Sequence, residues 1–373
     1  MNAPLPPGAR IGILGGGQLG RMSAMAAARL GYLCHVYAPE ADSPGMLVAA
    51  KRTVAAYDDV PALRRFAASI DVATFEFENV PAATLDALAP LVPCRPGVTA
   101  LRICQDRLQE KRFLAAAGVP VAPWHAVESE ADLAAGLAAI GLPAVLKTTR
   151  LGYDGRGQAM LRTAEDAAAA FGQLAPKPLI LEAFVPFIAE LSAIVVRAAD
   201  GTSATFDPTE NRHEHHILDL SFAPARIPAE VAARAREYAV AAAAGLDLIG
   251  VLALEYFLLP DGQLLGNEMA PRPHNSGHWT MDACLCSQFD QHIRAIAGLP
   301  LGSTERHHDV VMKNLVGPAA MTRWPELLSL PDVVPHLYGK QDARPGRKMG
   351  HINRLLPLGR LAAGDEATCL RGL

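Results

Sequence analysis

The stretch from Glu255 to His274, EYFLLPDGQLLGNEMAPRPH, brings carboxylates, a guanidinium and an imidazole close together in the chain. Val251 to Leu259 and Leu264 to Met269 are apolar runs of strand length, and the Asp261-Gly262 pair between them predicts a tight hairpin turn. A turn of two or four residues over that centre sets Glu255 directly opposite Glu268. Opposed side chains have Cβ atoms about 5 Å apart, and two carboxylates at that separation repel by roughly 3 kcal/mol at an effective dielectric of about 20. A cation is needed between them. Mg²⁺ suits the position, because this hard ion takes one or two carboxylates and completes its shell with water and substrate phosphates. Two edge glutamates facing solvent are the competing reading. Pro271 to His274 favours the metal, since Arg272 and His274 follow the second strand and both suit an anion beside the cation. The stretch is fitted to phosphoryl chemistry.

A second constellation points the same way. Ala144 to Thr149 is an apolar strand whose one charged residue is Lys147, and a lysine in a buried run needs an anionic partner. The glycines of Gly152-Tyr153-Asp154-Gly155-Arg156-Gly157-Gln158 follow, allowing a backbone that wraps phosphates and closes over a nucleotide. The lysine precedes the glycines, which excludes a Walker A loop; an exposed hairpin turn is the alternative. Leu179 to Val185 reads as a strand interrupted by Glu182, where backbone groups can read an adenine edge, with Glu190 on ribose hydroxyls. Glu210 to His216 (ENRHEHH) invites zinc, but its spacing fits neither H-E-x-x-H nor a finger, so a polar loop is expected. Lys340, Arg344, Arg347 and Lys348 crowd a turn-rich loop suited to a phosphate ester, the alternative being a solvated basic loop.

These groups need a frame. Arg10 to Leu14, the turn Gly15-Gly16-Gly17-Gln18-Leu19-Gly20, a helix from Arg21 to Leu30 and a strand from Leu33 to Ala38 make a βαβ opening with a natural anion site at the helix start. The pattern matches G-x-G-x-x-G, and Glu40 stands where a dinucleotide fold places its ribose acid, so a nicotinamide or flavin cofactor is a rival reading. Asp71 to Glu78 is expected as a third strand, with Glu76 either a substrate contact or a capping acid. Helices are expected over Thr84 to Leu91, Cys104 to Ala117, Thr163 to Leu174 with Thr163 as N-cap, Ala229 to Gly245, and Asp282 to Ile296. Arg107, Lys111 and Arg112 read as the solvated face of the second of these. Boundaries are expected at Arg95-Pro96-Gly97 and Gly298-Leu299-Pro300.

With 373 residues, 50% hydrophobic and 19% charged, the chain has an ordinary enzyme composition and room for two or three domains. A net charge of -4 argues against a nucleic-acid or anionic-membrane surface as main partner. Asp247 and Glu255 interrupt the most apolar segment, so no membrane span is expected. The start has no signal-peptide pattern and the six cysteines have no metal spacing; a cytoplasmic location is expected.

The stretches GILGGGQLGRM, FEFENVP, QDRLQEK, LKTTRLGYDGRGQ, NEMAPRPHNSGHW and HLYGKQDARPGRKMGH together resemble the N5-carboxyaminoimidazole ribonucleotide synthetases of purine biosynthesis, members of the ATP-grasp superfamily. The likeness runs from Ile11 to about Arg354. It implies a mixed α/β and α+β chain: a doubly wound parallel-sheet domain over 1–100, a small ATP-grasp subdomain with the glycine-rich loop over 101–180, a catalytic subdomain over 181–300 and a small C-terminal subdomain over 301–373. The implied reaction is ATP-dependent carboxylation of 5-aminoimidazole ribonucleotide with bicarbonate, through carboxyphosphate. Carried over by position, the resemblance puts ATP on Arg107, Lys147, Gly152 to Gln158, Glu182, Ala183, Phe184, Val185, Glu190, His213, Asn267 and Glu268. Mg²⁺ falls on Glu255 and Glu268. The ribonucleotide falls on Gln18, Leu19, Glu76, Tyr153, Asp154, Arg156, Arg272, His274, Asn275, Ser276, Lys340 and Arg347, with Arg272, His274, Asn275 and Asp154 as catalytic residues. A homodimer without nucleic-acid or membrane partners is expected, and no further regulatory domain. The rivals are another ATP-grasp ligase, such as a formate-using glycinamide ribonucleotide transformylase or a biotin carboxylase, the dinucleotide oxidoreductase, and a nucleotide-sensing module without turnover.

Overall fold

Four short strands, β1 (Arg10–Leu14), β2 (Leu33–Ala38), β3 (Lys51–Val54) and β4 (Val72–Phe75), form a parallel sheet in the order β3-β2-β1-β4. The computed structural model describes residues 3–150, 152, 157–362 and 366–373. Helices α1 (Gln18–Arg29), α2 (Val60–Ala67) and α3 (Ala82–Leu88) cover both faces of this sheet, which is why β4 and all but the first residue of β1 are buried. Two sequence expectations change here. Strand β3 was not expected, because Lys-Arg-Thr-Val is largely exposed and carries the charges typical of a sheet edge. The strand expected over Asp71 to Glu78 ends at Phe75, leaving Glu76 and Glu78 in the loop beyond it.

Helix α4 (Val98–Cys104) was not expected, and α5 (Arg107–Ala116) takes up most of the helix expected over Cys104 to Ala117. Asp106 ends the continuity by capping α5, its carboxylate accepting the Leu108 and Gln109 N–H groups at 3.1 and 3.2 Å. A second sheet follows, with β5 (Trp124–Val127), β6 (Ala144–Thr148), β7 (Gln158–Leu161) and β8 (Leu179–Ala183) antiparallel in the order β5-β8-β6-β7. Helices α6 (Glu130–Ile140) and α7 (Ala164–Leu174) pack on it, and Thr163 caps α7 in a capping box with Asp166.

The third sheet holds β9 (Ala189–Arg197), β10 (Ser203–Thr205), β11 (Thr209–Glu214), β12 (Ile217–Ala223), β13 (Gly250–Leu258), β14 (Leu264–Ala270), β15 (Asp309–Val316), β16 (Val333–Leu337) and β17 (Lys348–Leu356). Its order is β14-β13-β9-β11-β12-β15-β17-β16, with β10 beside β9. The C-terminal strands thus extend the sheet that carries the hairpin. Helix α8 (Ala229–Gly245) lies on it through Ala235, Ala239 and Ala242, small residues that let it settle close to Val195, Leu252 and Leu254.

The helix expected from Asp282 to Ile296 is two, α9 (Thr280–Ala283) and α10 (Gln288–Ala297), because Ser287 and Asp290 form a capping box that restarts the helix. Helix α10 joins the first sheet to the third. Ile293 and Ile296 are fully buried among Ile11, Ile13 and Val36, each contributing about 1.5–3 kcal/mol of apolar burial. His292 accepts the Val251 N–H at Nδ1 (3.3 Å), leaving Nε2 to donate to Thr74 Oγ1 (2.9 Å).

Candidate active site

The β13–β14 hairpin differs from its sequence reading in an instructive way. Its loop has three residues, Pro260-Asp261-Gly262, closed by the Leu259 N–H to Gln263 O bond at 2.9 Å, with Gly262 at φ +84. The odd loop offsets the pairing by one residue, so that Tyr256 faces Gly266 and Phe257 faces Leu265. A β-bulge then restores the expected register, with Leu254 facing Met269 and Ala253 facing Ala270. Asn267 and Glu268 together therefore oppose Glu255.

This bulge decides which face Glu268 occupies. An unbroken ladder from the loop would pair Glu268 with Leu254, whose side chain lies in the core beneath α8. Shifted by the bulge, Glu268 and Glu255 line one cavity of about 810 Å³. Burial pushes the Glu255 carboxyl up, and the charge of Glu268 pushes it further in the same direction. The Asn267 side-chain oxygen beside them is buried without a hydrogen-bond partner among the described residues. Two carboxylates and an orphaned amide oxygen form a hard-oxygen donor set, which fits Mg²⁺.

Across the cavity, β6 and β8 set Lys147 against Glu182. The Glu182 carboxylate also meets Lys111 Nζ at 3.3 Å, as an ion contact. Burial alone would raise the Glu182 pKa, but Lys111 and Lys147 outweigh it and hold the group at about 2. Burial lowers the pKa of Lys147, partly countered by Glu182. Lys111 was expected on a solvated helix face; instead it is 1% exposed, because α5 packs against the free edge of β14. Arg107, four residues earlier on α5, reaches Glu268 at 3.4 Å.

Beyond β14 the chain turns sharply through Arg272 and His274. The Arg272 guanidinium donates to Glu78, in the loop after β4, so an ion pair ties the first sheet's loops to the third sheet. His274 Nε2 lies 3.3 Å from Glu255 Oε1. Its tautomer follows from a chain of hydroxyls: Ser192 donates to Ser276 Oγ (2.6 Å), so the Ser276 hydrogen is free for His274 Nδ1 (2.8 Å). Nδ1 accepts, and Nε2 carries the hydrogen towards Glu255. Burial, then the positive charges of Arg272 and Lys348, keep this imidazole neutral by lowering its pKa well below 6.5. Both side-chain polar atoms of Asn275 are buried and unpartnered among the described residues. His213 Nδ1 meets Glu190 Oε2 at 2.7 Å; burial lowers its pKa, but this bond and charge outweigh it and raise it. His215 and His216 make the two-residue turn between β11 and β12, at φ +50 and +64, and stand at the cavity wall.

Three domain families match consecutive stretches: a ribonucleotide synthetase preATP-grasp domain over 9–105, an ATP-grasp domain over 112–289, and a phosphoribosylaminoimidazole carboxylase C-terminal domain over 310–357. The N5-carboxyaminoimidazole ribonucleotide synthase of Brucella melitensis is 51% identical over 355 residues, covering 95% of this chain and 98% of that protein. That of Pseudomonas aeruginosa is 45% identical over 359 residues, 96% of each chain. The chain belongs to the N5-carboxyaminoimidazole ribonucleotide synthase family. Among solved structures, the Staphylococcus aureus synthetase complexed with ADP superposes with a TM-score of 0.93 at 35% identity, covering 100% of both chains. The Aspergillus clavatus synthase in complex with ADP and 5-aminoimidazole ribonucleotide gives 0.90 at 33% identity, covering 98% of both. The fold is therefore ATP-grasp with a preATP-grasp domain at its N-terminus and this family's C-terminal domain.

Of the residues singled out in the sequence, Arg107, Lys147, Gly152, Gln158, Glu190, His213, Glu255, Asn267, Glu268, Arg272, His274 and Asn275 line the cavity. Tyr153, Asp154, Gly155 and Arg156 lie outside the described residues. Glu182 is buried behind Lys147, and Ala183 and Phe184 give their N–H groups to Pro123 O and Pro143 O, leaving Val185 next in the chain. Ser276 is buried beneath His274. Lys340 donates to Lys348 O at 2.8 Å and Arg347 to Asp342 O at 2.9 Å, and burial, then the charge of Arg347, lower the Lys340 pKa to about 8. Gln18 and Leu19 open α1. The anion at that helix start is internal: Glu76 accepts the Gly17 N–H and, at 2.8 Å, the Gly20 N–H, standing where a dinucleotide reading would put its pyrophosphate.

Several wall residues escaped the sequence reading. Glu78 was read only as the end of a strand, and Lys348 only as one cation of the basic loop, yet both line the cavity. Phe257 was findable, lying two residues from Glu255 on the same strand face; its ring stacks on Phe187 with centroids 4.7 Å apart.

Proposed function

We propose that the chain catalyses ATP-dependent carboxylation of 5-aminoimidazole ribonucleotide to N5-carboxyaminoimidazole ribonucleotide in this cavity, with bicarbonate as the carboxyl source. The observation that supports this reading is that Lys147 and Arg107 line the same cavity as Glu255, Glu268, Arg272, His274 and Asn275. Phosphoryl transfer depends on positioning and charge stabilisation more than on covalent help from the protein.

In this reading Lys147 and Arg107 hold the triphosphate, Val185 and its neighbours hold adenine, and Glu190 with His213 holds ribose. Glu255, Glu268 and the Asn267 oxygen would hold Mg²⁺. Its contribution is to neutralise charge on the phosphates. Bicarbonate attacks the γ-phosphorus, and the bond to ADP breaks, giving carboxyphosphate. Arg272, steadied by Glu78, holds that anion. The exocyclic amine then attacks the carboxyl carbon, the carbon–oxygen bond to phosphate breaks, and the amine gives up a proton. His274 and Asn275 orient the amine, Asp154 acts beside them, and Gln18, Leu19, Glu76, Tyr153, Arg156 and Ser276 complete the ribonucleotide site. Lys340 and Arg347 clamp its phosphate.

A homodimer in the cytoplasm belongs to the same reading. No described helix is long and apolar enough to cross a membrane.

ADP release measured with each substrate omitted in turn tests the assignment. Release that requires both bicarbonate and 5-aminoimidazole ribonucleotide supports it. Dependence on formate and glycinamide ribonucleotide would move the chain to a different ATP-grasp reaction.

A further inference from the structure

The bulge that brings Glu268 onto the cavity face is held from outside the sheet. In a regular strand successive carbonyls point to opposite edges, yet the Gly266 and Asn267 carbonyls both turn to Lys111 Nζ, at 3.3 and 3.0 Å. The next free backbone group, the Met269 N–H, donates to Glu110 Oε1 at 2.5 Å. Arg107 adds the contact to the Glu268 carboxylate itself. These three residues are spaced i, i+3 and i+4 and share one face of α5. Glu110 and Lys111 are 2% and 1% exposed, so their polar groups are spent on β14 and Glu182 and not on solvent.

We propose that Glu110 and Lys111 are positioning residues for the metal site: together they clamp the Asn267-Glu268 bulge and so keep Glu268 beside Glu255. Without the clamp the backbone groups freed by the bulge are left unpaired, and the strand regains its ladder only by slipping into the register of the hairpin loop. Slippage carries Glu268 to the face of Leu254, away from the cavity. The inference rests on the reading of Glu255 and Glu268 as the metal pair.

The test compares Glu110→Leu, which removes the acceptor while roughly keeping its size, with Glu110→Gln, which keeps an oxygen for the Met269 N–H. Mn²⁺ binding to the ADP complex is followed by electron paramagnetic resonance, and ADP binding in the presence of EDTA by calorimetry. Glu110→Leu should weaken Mn²⁺ at least tenfold while metal-free ADP affinity stays within twofold. Glu110→Gln should return Mn²⁺ affinity to within twofold of the parent chain. Undiminished Mn²⁺ binding by Glu110→Leu overturns the clamp. Glu255→Gln and Glu268→Gln serve as controls: if neither weakens Mn²⁺, it is the metal assignment that has failed. Should Glu110→Leu not fold, amide exchange in the unaltered chain decides. The Met269 amide must be slow despite its place on an edge strand, and fast exchange there rules the clamp out.

Discussion

Lys111 Nζ lies 3.3 Å from Glu182 Oε1, while Lys147 binds the other oxygen of the same carboxylate. Both lysines and the glutamate are largely withdrawn from water, so the carboxylate is the counter-charge that permits two ammonium groups to stand together behind the cavity. Removing one partner of such a cluster leaves uncompensated buried charge. Glu182→Leu is therefore expected to destabilise the fold by about 3–5 kcal/mol, read from chemical denaturation. The pH dependence follows from the depressed pKa of about 2, against an ordinary value of 4.5. Stabilisation is complete above pH 4.5 and is lost as pH falls towards 2. The difference in stability between the parent chain and the variant should shrink across that window.

Glu268→Gln keeps the shape of the hairpin and removes one of the two charges facing the cation. Steady-state ADP release should fall about a hundredfold or more, comparable to the loss of a charge-stabilising group elsewhere. Unchanged turnover would count against any role for Glu268 in holding metal or nucleotide.

Arg272 joins the third sheet to the loop after β4 through Glu78, and its guanidinium, with a side chain 13% exposed, is poorly replaceable by an ammonium. If Arg272 serves the phosphorylated intermediate as proposed, Arg272→Lys should lower kcat by about a hundredfold, with KM for ATP within about threefold. A rise confined to KM for ATP would place Arg272 in nucleotide binding instead.

Lys340 has its pKa lowered to about 8 by burial and the nearby Arg347. Above that pH the free enzyme loses a positive charge from the proposed phosphate clamp. The pH profile of kcat/KM for the ribonucleotide should fall above about pH 8. Lys340→Arg should move that descending limb upward, since a guanidinium stays charged. Arg347→Ala should raise the ribonucleotide KM about tenfold, more at low salt than at high salt.

Gly15 has φ +101, and a Cβ there would lie 2.4 Å from Glu76 Cγ. Gly15→Ala combines backbone strain with a steric clash and should lower stability by about 1–3 kcal/mol or more. The thermal midpoint measures it.

Much of this protein follows from local pattern. The glycine turn before α1, the Thr163 cap, the full extent of α8 and the lysine strand are written in short stretches, because capping, turn chemistry and apolar periodicity act over a few residues. The family was legible for the same reason, through short motifs spread along the chain. Other features depended on contacts between distant segments. Glu255 and Glu268 were expected together from a turn of two or four residues, whereas the folded chain brings them together through a three-residue loop and a compensating bulge. Lys111 read as a solvated charge, and only the packing of α5 on the edge of β14 turned it into a buried one. Glu76 read as either a substrate contact or a capping acid, and only the parallel sheet brought it to the amides of α1. Register, burial and the partners of buried charges are set by which surfaces meet in three dimensions, and residue order along the chain does not specify that meeting.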